Sequence, residues 1–390
     1  MTRFGVEERR ARLAVRHHLA PSARVEGAVD VAHDLVGLHG TDPASVYLGA
    51  FARIEKLTHE AVVAALYDER NVLKILGMRR TMFVVPRDLA AVVNSSVSRA
   101  IGLAERKRLI KMLEGAQVDH DVAGWLARVE KETVDTLGDL GQATATELAR
   151  RVEGLRVQIA FGEGTKWAGR VGVSTRLLFL LATEGRIIRG RPRGTWLSSM
   201  YAWAPMETWL GSALEKIPVE EAQAELVRRY LATYGPATQR DVQWWTGWTV
   251  AATRQVLAAV GAAEVETESG RGLVLPKDGA QTEAVTPWAA LLPALDTTIM
   301  GWAERDWYLG DHVRALFDRN GNAGPTVWSD GRVVGGWAQR KSGEVVVRLL
   351  EDIGSEAKVK VESEGARIER WLGDSRVIPR FRTPLEKELT

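Results

Sequence analysis

The stretch RVGVSTRLLFLLATEGRIIRGRPRGTWLSSMYAWA, residues 170 to 204, limits what this chain can fold into more than any other. Leu177, Leu178 and Leu181 recur at the spacing of one helical face, and Gly185 supplies a C-terminal stop. A hairpin follows. Ile187 and Ile188 begin a strand, Arg-Gly-Arg-Pro-Arg-Gly turns it, and Trp196, Leu197 and Tyr201 carry the return. Arg189, Arg191 and Arg193 then sit on a hairpin with a polar, cationic tip. From Arg170 to Met200 there are six arginines, Arg176 among them, against one acid, Glu184. A guanidinium is planar and weakly hydrated, so a cluster of this kind reads phosphate, or enters a minor groove, better than lysine would.

The same order of short helices followed by strand, turn and strand recurs three times, which is the signature of tandem winged helices. The first unit, residues 1 to 118, has a helix ending in Arg16, His17 and His18, a second from Gly27 to Leu38, a third opening at Asp42-Pro43 and a fourth from Thr58. The extended VLKILGMRRTMFVVP then alternates apolar and basic residues, as a strand or hairpin with Arg79 and Arg80 exposed would, and Pro86 starts a long helix toward Leu113. The second unit, 119 to 216, has a helix from Val122 to Leu137, a capping-box spacing at Thr144 and Glu147, a glycine-rich loop FGEGTKWAGR, and the arginine hairpin.

The third unit, 217 to 286, gives three helical stretches and two short strands, EVETES and GLVLP, across a Gly-Arg-Gly turn. Its hairpin carries Glu264, Glu266 and Glu268, so it is expected to scaffold rather than to lie on phosphates. Residues 287 to 390 read as an α+β portion packed on the winged units: strands at Thr326 to Ser329, Val333 to Ala338 and Val345 to Leu350, a helix over 357 to 371, a last strand with Val377 and Ile378, and a frayed tail TPLEKELT. The expected class is therefore α+β, mostly α.

Composition narrows the function. No run approaches the roughly 20 apolar residues of a spanning helix, and MTRFGVEERRARL is charged where a signal peptide would be apolar, so a cytoplasmic location is expected. Zero cysteines exclude disulfides, thiol nucleophiles and thiolate metal sites. Seven scattered histidines without a His-Glu-x-x-His run argue against a metal, and RNGNAGPT lacks the lysine and spacing of a phosphate loop, so no cofactor is expected. The formal net charge is only +2, yet it is segregated: residues 76 to 112 hold eight Arg or Lys against two acids, and 119 to 153 hold four against eight. One face meeting a polyanion fits that division; ordinary surface charge is the alternative.

Five stretches, LVGLHGTDPASVYLGAFAR, GRIIRGRPRGTW, YLATYGPATQRDVQWWTGW, LLPALDTTIMGW and RNGNAGPTVWSDGRVVGGWAQR, span nearly the whole chain. Together they resemble the bacterial tandem winged-helix DNA-binding family of the AlkZ and YcaQ (AlkX) DNA glycosylase type. The resemblance implies a monomeric, metal-free protein whose partner is double-stranded DNA carrying alkylated bases. It also implies hydrolysis of the N-glycosidic bond of N7-alkylated purines, with a non-catalytic winged-helix DNA binder, a regulator or lesion shield, as the alternative. In the family's glycosylases the catalytic loop is a Gln-x-Gln or Gln-x-Asp triplet after a Gly-Leu pair. Here Gly37-Leu38 is followed by His39-Gly40-Thr41, so both glutamine positions are changed.

The chemistry asked of such a loop is modest. An N7-alkylated purine is cationic and departs as a neutral base, so no general acid is required. The site must hold a water against the anomeric carbon and stabilise an oxocarbenium-like sugar. A neutral His39 can take a proton from that water, Thr41 can orient it, and Asp42 can offset the developing charge. Read structurally, Asp42 before Pro43 is a helix cap with proline at the first helical position, Thr41 a loop residue and His39 a buried histidine. His17 and His18 read as surface residues. Asp296, Trp302, Arg305, Arg332 and Trp337 read as an ion pair and aromatic core rather than DNA contacts, and Tyr234, Trp244, Trp245 and Trp248 likewise as packing.

Overall fold

Helix caps written in the sequence set several of the helix starts. In a computed structural model, which describes residues 2–161 and 168–390, Thr144 accepts from the Glu147 amide at 3.2 Å while the Glu147 carboxylate accepts from the Thr144 amide at 2.7 Å, and the helix Ala145–Arg151 begins there. Thr238 and Asp241 repeat the device at the start of Gln239–Thr246. The chain is roughly half helical, and the ladders of its four-stranded sheet and of the three hairpins Gln158–Gly172, Ile187–Pro205 and Ala263–Val274 are antiparallel. It divides into two compact units: Met1–Val72 with Phe83–Pro86 and Ala224–Thr390, and Leu73–Met82 with Arg87–Gln223.

In the Arg87–Gln223 unit the helices Arg99–Gly115, Val122–Leu140, Ala145–Arg151 and Val173–Thr183 enclose a core of Leu109, Leu113, Leu126, Leu148, Leu177 and Leu181 with Ile187 and Trp203 from the hairpin. Gly185, at φ +73°, ends Val173–Thr183 in the left-handed conformation that glycine adopts without cost. The hairpin pairs Ile187–Pro192 with Tyr201–Pro205 and is shifted in register between Arg189 and Pro192. Strand structure thus runs through the arginines to Pro192, and Trp196 and Leu197 lie in the tip rather than on the return strand. The cause is the bulge, which lets proline sit on a two-stranded ribbon where its missing N–H is not needed. Of the glycine-rich loop FGEGTKWAGR, residues 162–167 lie outside the described residues; Gln158–Phe161 and Gly169–Gly172 on either side pair with each other.

The other unit holds the N-terminal helices Val6–Arg16, Ala28–Asp34 and Pro43–Phe51, the helices Gln239–Thr246 and Val250–Ala259, and a hairpin of Ala263–Thr267 with Gly270–Val274. That hairpin turns at Glu268 and Ser269; the Gly-Arg-Gly expected to turn it is already strand, since Gly270 pairs with Thr267. A four-stranded sheet follows in sequence order, Ala289–Leu292, Thr326–Ser329, Arg332–Gln339 and Val345–Leu349. The helix Gly354–Leu372 packs on it through Val361, Gly365, Ile368 and Leu372.

Two expectations for the C-terminal end fail for identifiable reasons. Val377 and Ile378 form no strand; the Val377 amide donates instead to the Gln339 side chain at 2.8 Å. The tail is not frayed, because Thr383 caps a helix, Pro384–Leu389, with proline at its first turn and Leu385, Glu386 and Leu389 buried. Its seat is prepared by Gly336, where a side chain's first carbon would stand 2.5 Å from Leu385. Among the described residues no helix is long and apolar enough to cross a membrane.

Candidate functional site

The residues singled out by sequence fall into the two units separately. The loop His39-Gly40-Thr41-Asp42 belongs to the unit that contains the N-terminal helices; Arg80, Arg176, Arg189, Arg191 and Arg193 belong to the other, as does Arg79.

The loop is fixed from both ends. Upstream, Val36 and Gly37 both take positive φ, +56° and +102°, and the Gly37 amide donates to the Ala32 carbonyl at 2.7 Å, closing the helix Ala28–Asp34. Gly37 has no room for a side chain, since the first carbon of one would meet Val85 at 2.8 Å. Val36 has no such excuse: a β-branched residue in this region stores strain, of the order of 1–3 kcal/mol, which the surrounding packing must hold. The turn delivers Leu38 and His39 onto a short antiparallel ladder with Val84 and Phe83. His39 is 3% exposed, its ring 5.3 Å from that of Phe83, whereas Thr41 is half-buried.

Downstream, Asp42 caps the helix Pro43–Phe51: one carboxylate oxygen accepts from the Ala44 amide at 3.1 Å and the other from the Arg380 amide at 3.0 Å. Asp42 therefore ties the loop to the C-terminal segment as well as starting the helix. Beside it a largely apolar cavity of ≈ 10 Å³, lined among others by Ser45, Leu48, Trp337 and Pro379, has room for about one water and none for a base.

Behind the loop lies a buried polar cluster. Arg53, on the turn after Pro43–Phe51, makes a two-pronged ion pair with Asp296 at 2.9 and 2.7 Å, with both side chains at most 1% exposed. Arg53 also donates to the Thr298 hydroxyl at 2.8 Å, and that hydroxyl lies 2.8 Å from His17 Nδ1. His17 is thus a core residue, stacked on Trp302 with ring centroids 5.6 Å apart, and not the surface histidine its sequence neighbours suggest. Burial, then the neighbouring Arg53 charge, hold its pKa well below the ordinary histidine value. His18 is partly buried and bonds Asp34 at 2.9 Å. Trp302 and Trp337 donate to the Tyr234 and Leu292 carbonyls, Arg305 stacks on Trp244 and Phe317, and Arg332 pairs with Glu351. Asp296, Trp302 and Trp337 are buried in packing, as expected, whereas the Arg332–Glu351 pair is part-exposed.

On the other unit Arg191 and Arg193 are exposed on the hairpin, and Arg193 lies 3.8 Å from Glu147. Arg189 is held lower, its guanidinium 4.4 Å from the Tyr201 ring centre and 5.6 Å from that of Trp203. Arg79 and Arg80 occupy a turn, Met78–Arg80, with positive φ at both, so they sit between the strands Val72–Leu76 and Met82–Pro86 rather than alternating along one. Arg80 and Arg176, distant in sequence, converge on the two oxygens of Glu105, at 3.0 and 3.9 Å. Sequence reading missed Glu105. Its signal was a carboxylate on the buried stripe Gly102, Glu105, Leu109, Leu113 of the helix Arg99–Gly115. No group of three or more His, Asp or Glu able to hold a metal occurs among the described residues.

Residues 32–371 match the family described as DNA glycosylase AlkZ-like. Among curated proteins the chain is similar to an interstrand DNA cross-link repair glycosylase of Streptomyces sahachiroi, 27% identical over 207 residues, which are 50% of this chain and 54% of that protein. The chain thus spans about half the length of the curated relative it matches. Among solved structures it is similar to the DNA glycosylase AlkZ of Streptomyces sahachiroi, with a TM-score of 0.71 at 22% identity, covering 96% of this chain and 98% of that one. At that identity the likeness speaks for the fold.

Proposed function

The chain belongs to the AlkZ-like DNA glycosylase family, and on that premise we propose that it is a monofunctional DNA glycosylase that hydrolyses the N-glycosidic bond of N7-alkylated purines, bulky and crosslinking adducts included. The observation that carries this reading is the match to the family over residues 32–371. The name of the curated relative, a cross-link repair glycosylase, points to the same lesion class.

In this reading the helices Val122–Leu140, Ala145–Arg151 and Val173–Thr183 with the hairpin up to Pro205 act as one winged helix, and Val219–Val274 as another. Arg80, Arg176, Arg189, Arg191 and Arg193, with Arg79, supply phosphate and groove contacts. The protein works as a monomer on double-stranded DNA in the cytoplasm.

The chemistry falls to the loop. Water attacks the anomeric carbon, the bond from that carbon to N9 breaks, and its electron pair leaves with a base that the N7 substituent has already made electron-poor. Thr41, the loop member with exposed surface, orients the water. His39 stands behind it as the proton acceptor, and the Asp42 charge, fixed by two backbone amides, offsets the cationic sugar. The test is incubation with duplexes carrying 7-methylguanine or a bulky N7 adduct, scored for free base and abasic sites. Tight binding with neither product sinks the proposal.

One observation favours a second reading. Both family glutamine positions are occupied by other residues, His39 and Thr41, and a protein that kept the DNA-binding face and lost the chemistry would be a lesion shield or regulator. It predicts binding without base release.

A further inference from the structure

We propose that Arg80 and Arg176 form a two-armed clamp for a single DNA phosphate, and that the Glu105 carboxylate between them is a built-in stand-in for that phosphate. The inference rests on the reading that this unit binds DNA and adds to it the group that sets how tightly it does so.

The geometry is that of a phosphodiester site filled from within. The two arginines come from different elements, the Met78–Arg80 turn and the helix Val173–Thr183, and each reaches a different oxygen of one carboxylate. A phosphodiester also offers two anionic oxygens, so it can take both arms at once. The two contacts are unequal and incomplete. Arg80 stays half exposed while paired at 3.0 Å, and its guanidinium lies 5.7 Å from the Phe179 ring centre. Arg176 approaches only to 3.9 Å, and its Nε is buried without a hydrogen-bond partner among the described residues. Glu105 is itself 8% exposed and sits on the packed stripe of its helix, so it cannot swing far when the arginines leave it.

A neighbouring bridge, from Arg106 on the same helix to Glu130 on Val122–Leu140, shows what a purely structural version looks like. Glu130 binds Arg106 at 2.7 Å and Arg186 at 3.0 Å, and Arg106 is held again by Glu184 at 2.6 Å. There every contact is short and the arginine between the carboxylates is fixed from two sides. At Glu105 the Arg80 contact is as short as that of Arg186 to Glu130, but Arg176 stands off at 3.9 Å and neither arginine is held by a second carboxylate among the described residues, so this is the bridge that an incoming anion can displace.

The function of such a stand-in is to keep two arginines pre-positioned while lowering their grip on any phosphate that does not reach both. Binding a DNA strand exchanges one anion for another, so the gain is smaller than for two free arginines. Weak, mobile association with undamaged duplex is the consequence.

The experiment is a salt titration of binding to an unmodified duplex by fluorescence anisotropy, for the wild type, Glu105→Gln, Glu105→Ala, and Arg80→Ala with Arg176→Ala. Both Glu105 variants are expected to bind about three- to tenfold tighter at moderate salt. The double arginine variant is expected to lose about 1 to 2 from the slope of log affinity against log salt. Adding Glu105→Gln to that double variant should restore nothing, whereas a carboxylate that acted only by repelling DNA would tighten binding there as well; a merely structural carboxylate would tighten binding in neither background. Thermal melts show that each variant is folded, and the glutamine and alanine changes guard against either failing alone. A lowered slope in the arginine variant with no tightening in either folded Glu105 variant overturns the stand-in while leaving the DNA face. An unchanged slope in the arginine variant overturns both the clamp and the assignment of these arginines to DNA.

Discussion

Replacing Asp42 separates the structural from the chemical role of the candidate loop. Its carboxylate does two jobs that the structure allows to be costed. Loss of the cap on Pro43–Phe51 costs about 1 kcal/mol, within a usual range of roughly 0.5–2. Loss of the acceptor for the Arg380 amide leaves a half-buried donor without a partner, at about 1–3 kcal/mol. Asp42→Ala should therefore destabilise by about 2–4 kcal/mol, which in a body of this size lowers the melting temperature by about 4–15 °C. Asp42→Asn should cost less, since the asparagine oxygen can still cap the helix while its amide faces the Arg380 N–H as donor to donor. The order wild type, asparagine, alanine is the prediction, read by differential scanning calorimetry. An alanine variant that melts within about a degree of wild type would mean that the two bonds contribute nothing net, and the account of how the loop is held would be wrong.

Three further outcomes follow from particular groups. Arg191→Ala with Arg193→Ala should lower the slope of log affinity against log salt by about 2 if both lie on phosphates, and an unchanged slope removes the hairpin tip from the interface. His17 is buried neutral with its folded pKa depressed, so the unfolded chain takes up the proton first. Its share of stability is whole above about pH 6.5 and is lost as pH falls from there toward the folded value. Melts at a series of pH values should show a steeper acid loss in wild type than in His17→Gln; equal losses would refute the assignment. Deleting residues 383–390 should destabilise the protein measurably by exposing the seat of Leu385 and Leu389, where a truly frayed tail would leave the melt unchanged.

What could be read in advance was local. The caps at Asp42 and Thr144, the helix start at Thr58 and the glycine stop at 185 all lie within a few residues of what they begin or terminate, so their signals survive in one dimension. The same Thr-x-x-Glu spacing stands at Thr383 and Glu386 and starts a helix, but the docking site that holds this helix is not displayed in the sequence. What could not be read was pairing across long separations. Arg53 finds Asp296 243 residues away, and Trp302 and Tyr234 close over His17 from elements that its neighbours Arg16 and His18 do not foreshadow. The arginine-rich hairpin was evident, but the register shift that carries strand geometry to Pro192 was not, since period alone does not locate a bulge. Of the candidate site, the residues of the loop were identifiable as cap and turn. The strained Val36 and the link from Asp42 to Arg380 belong to tertiary structure alone.

The central claim is that a family loop with His39 and Thr41 at the glutamine positions still hydrolyses the glycosidic bond. Single-turnover release of 7-methylguanine and of a bulky N7-alkylguanine from duplex DNA, compared among wild type, His39→Ala and Thr41→Ala, tests it most directly. The account predicts release by the wild type and a fall of roughly 100-fold or more in at least one variant, the scale of losing a positioned proton acceptor or water ligand. Full DNA binding with no release from the wild type, or release unchanged in both variants, would contradict it.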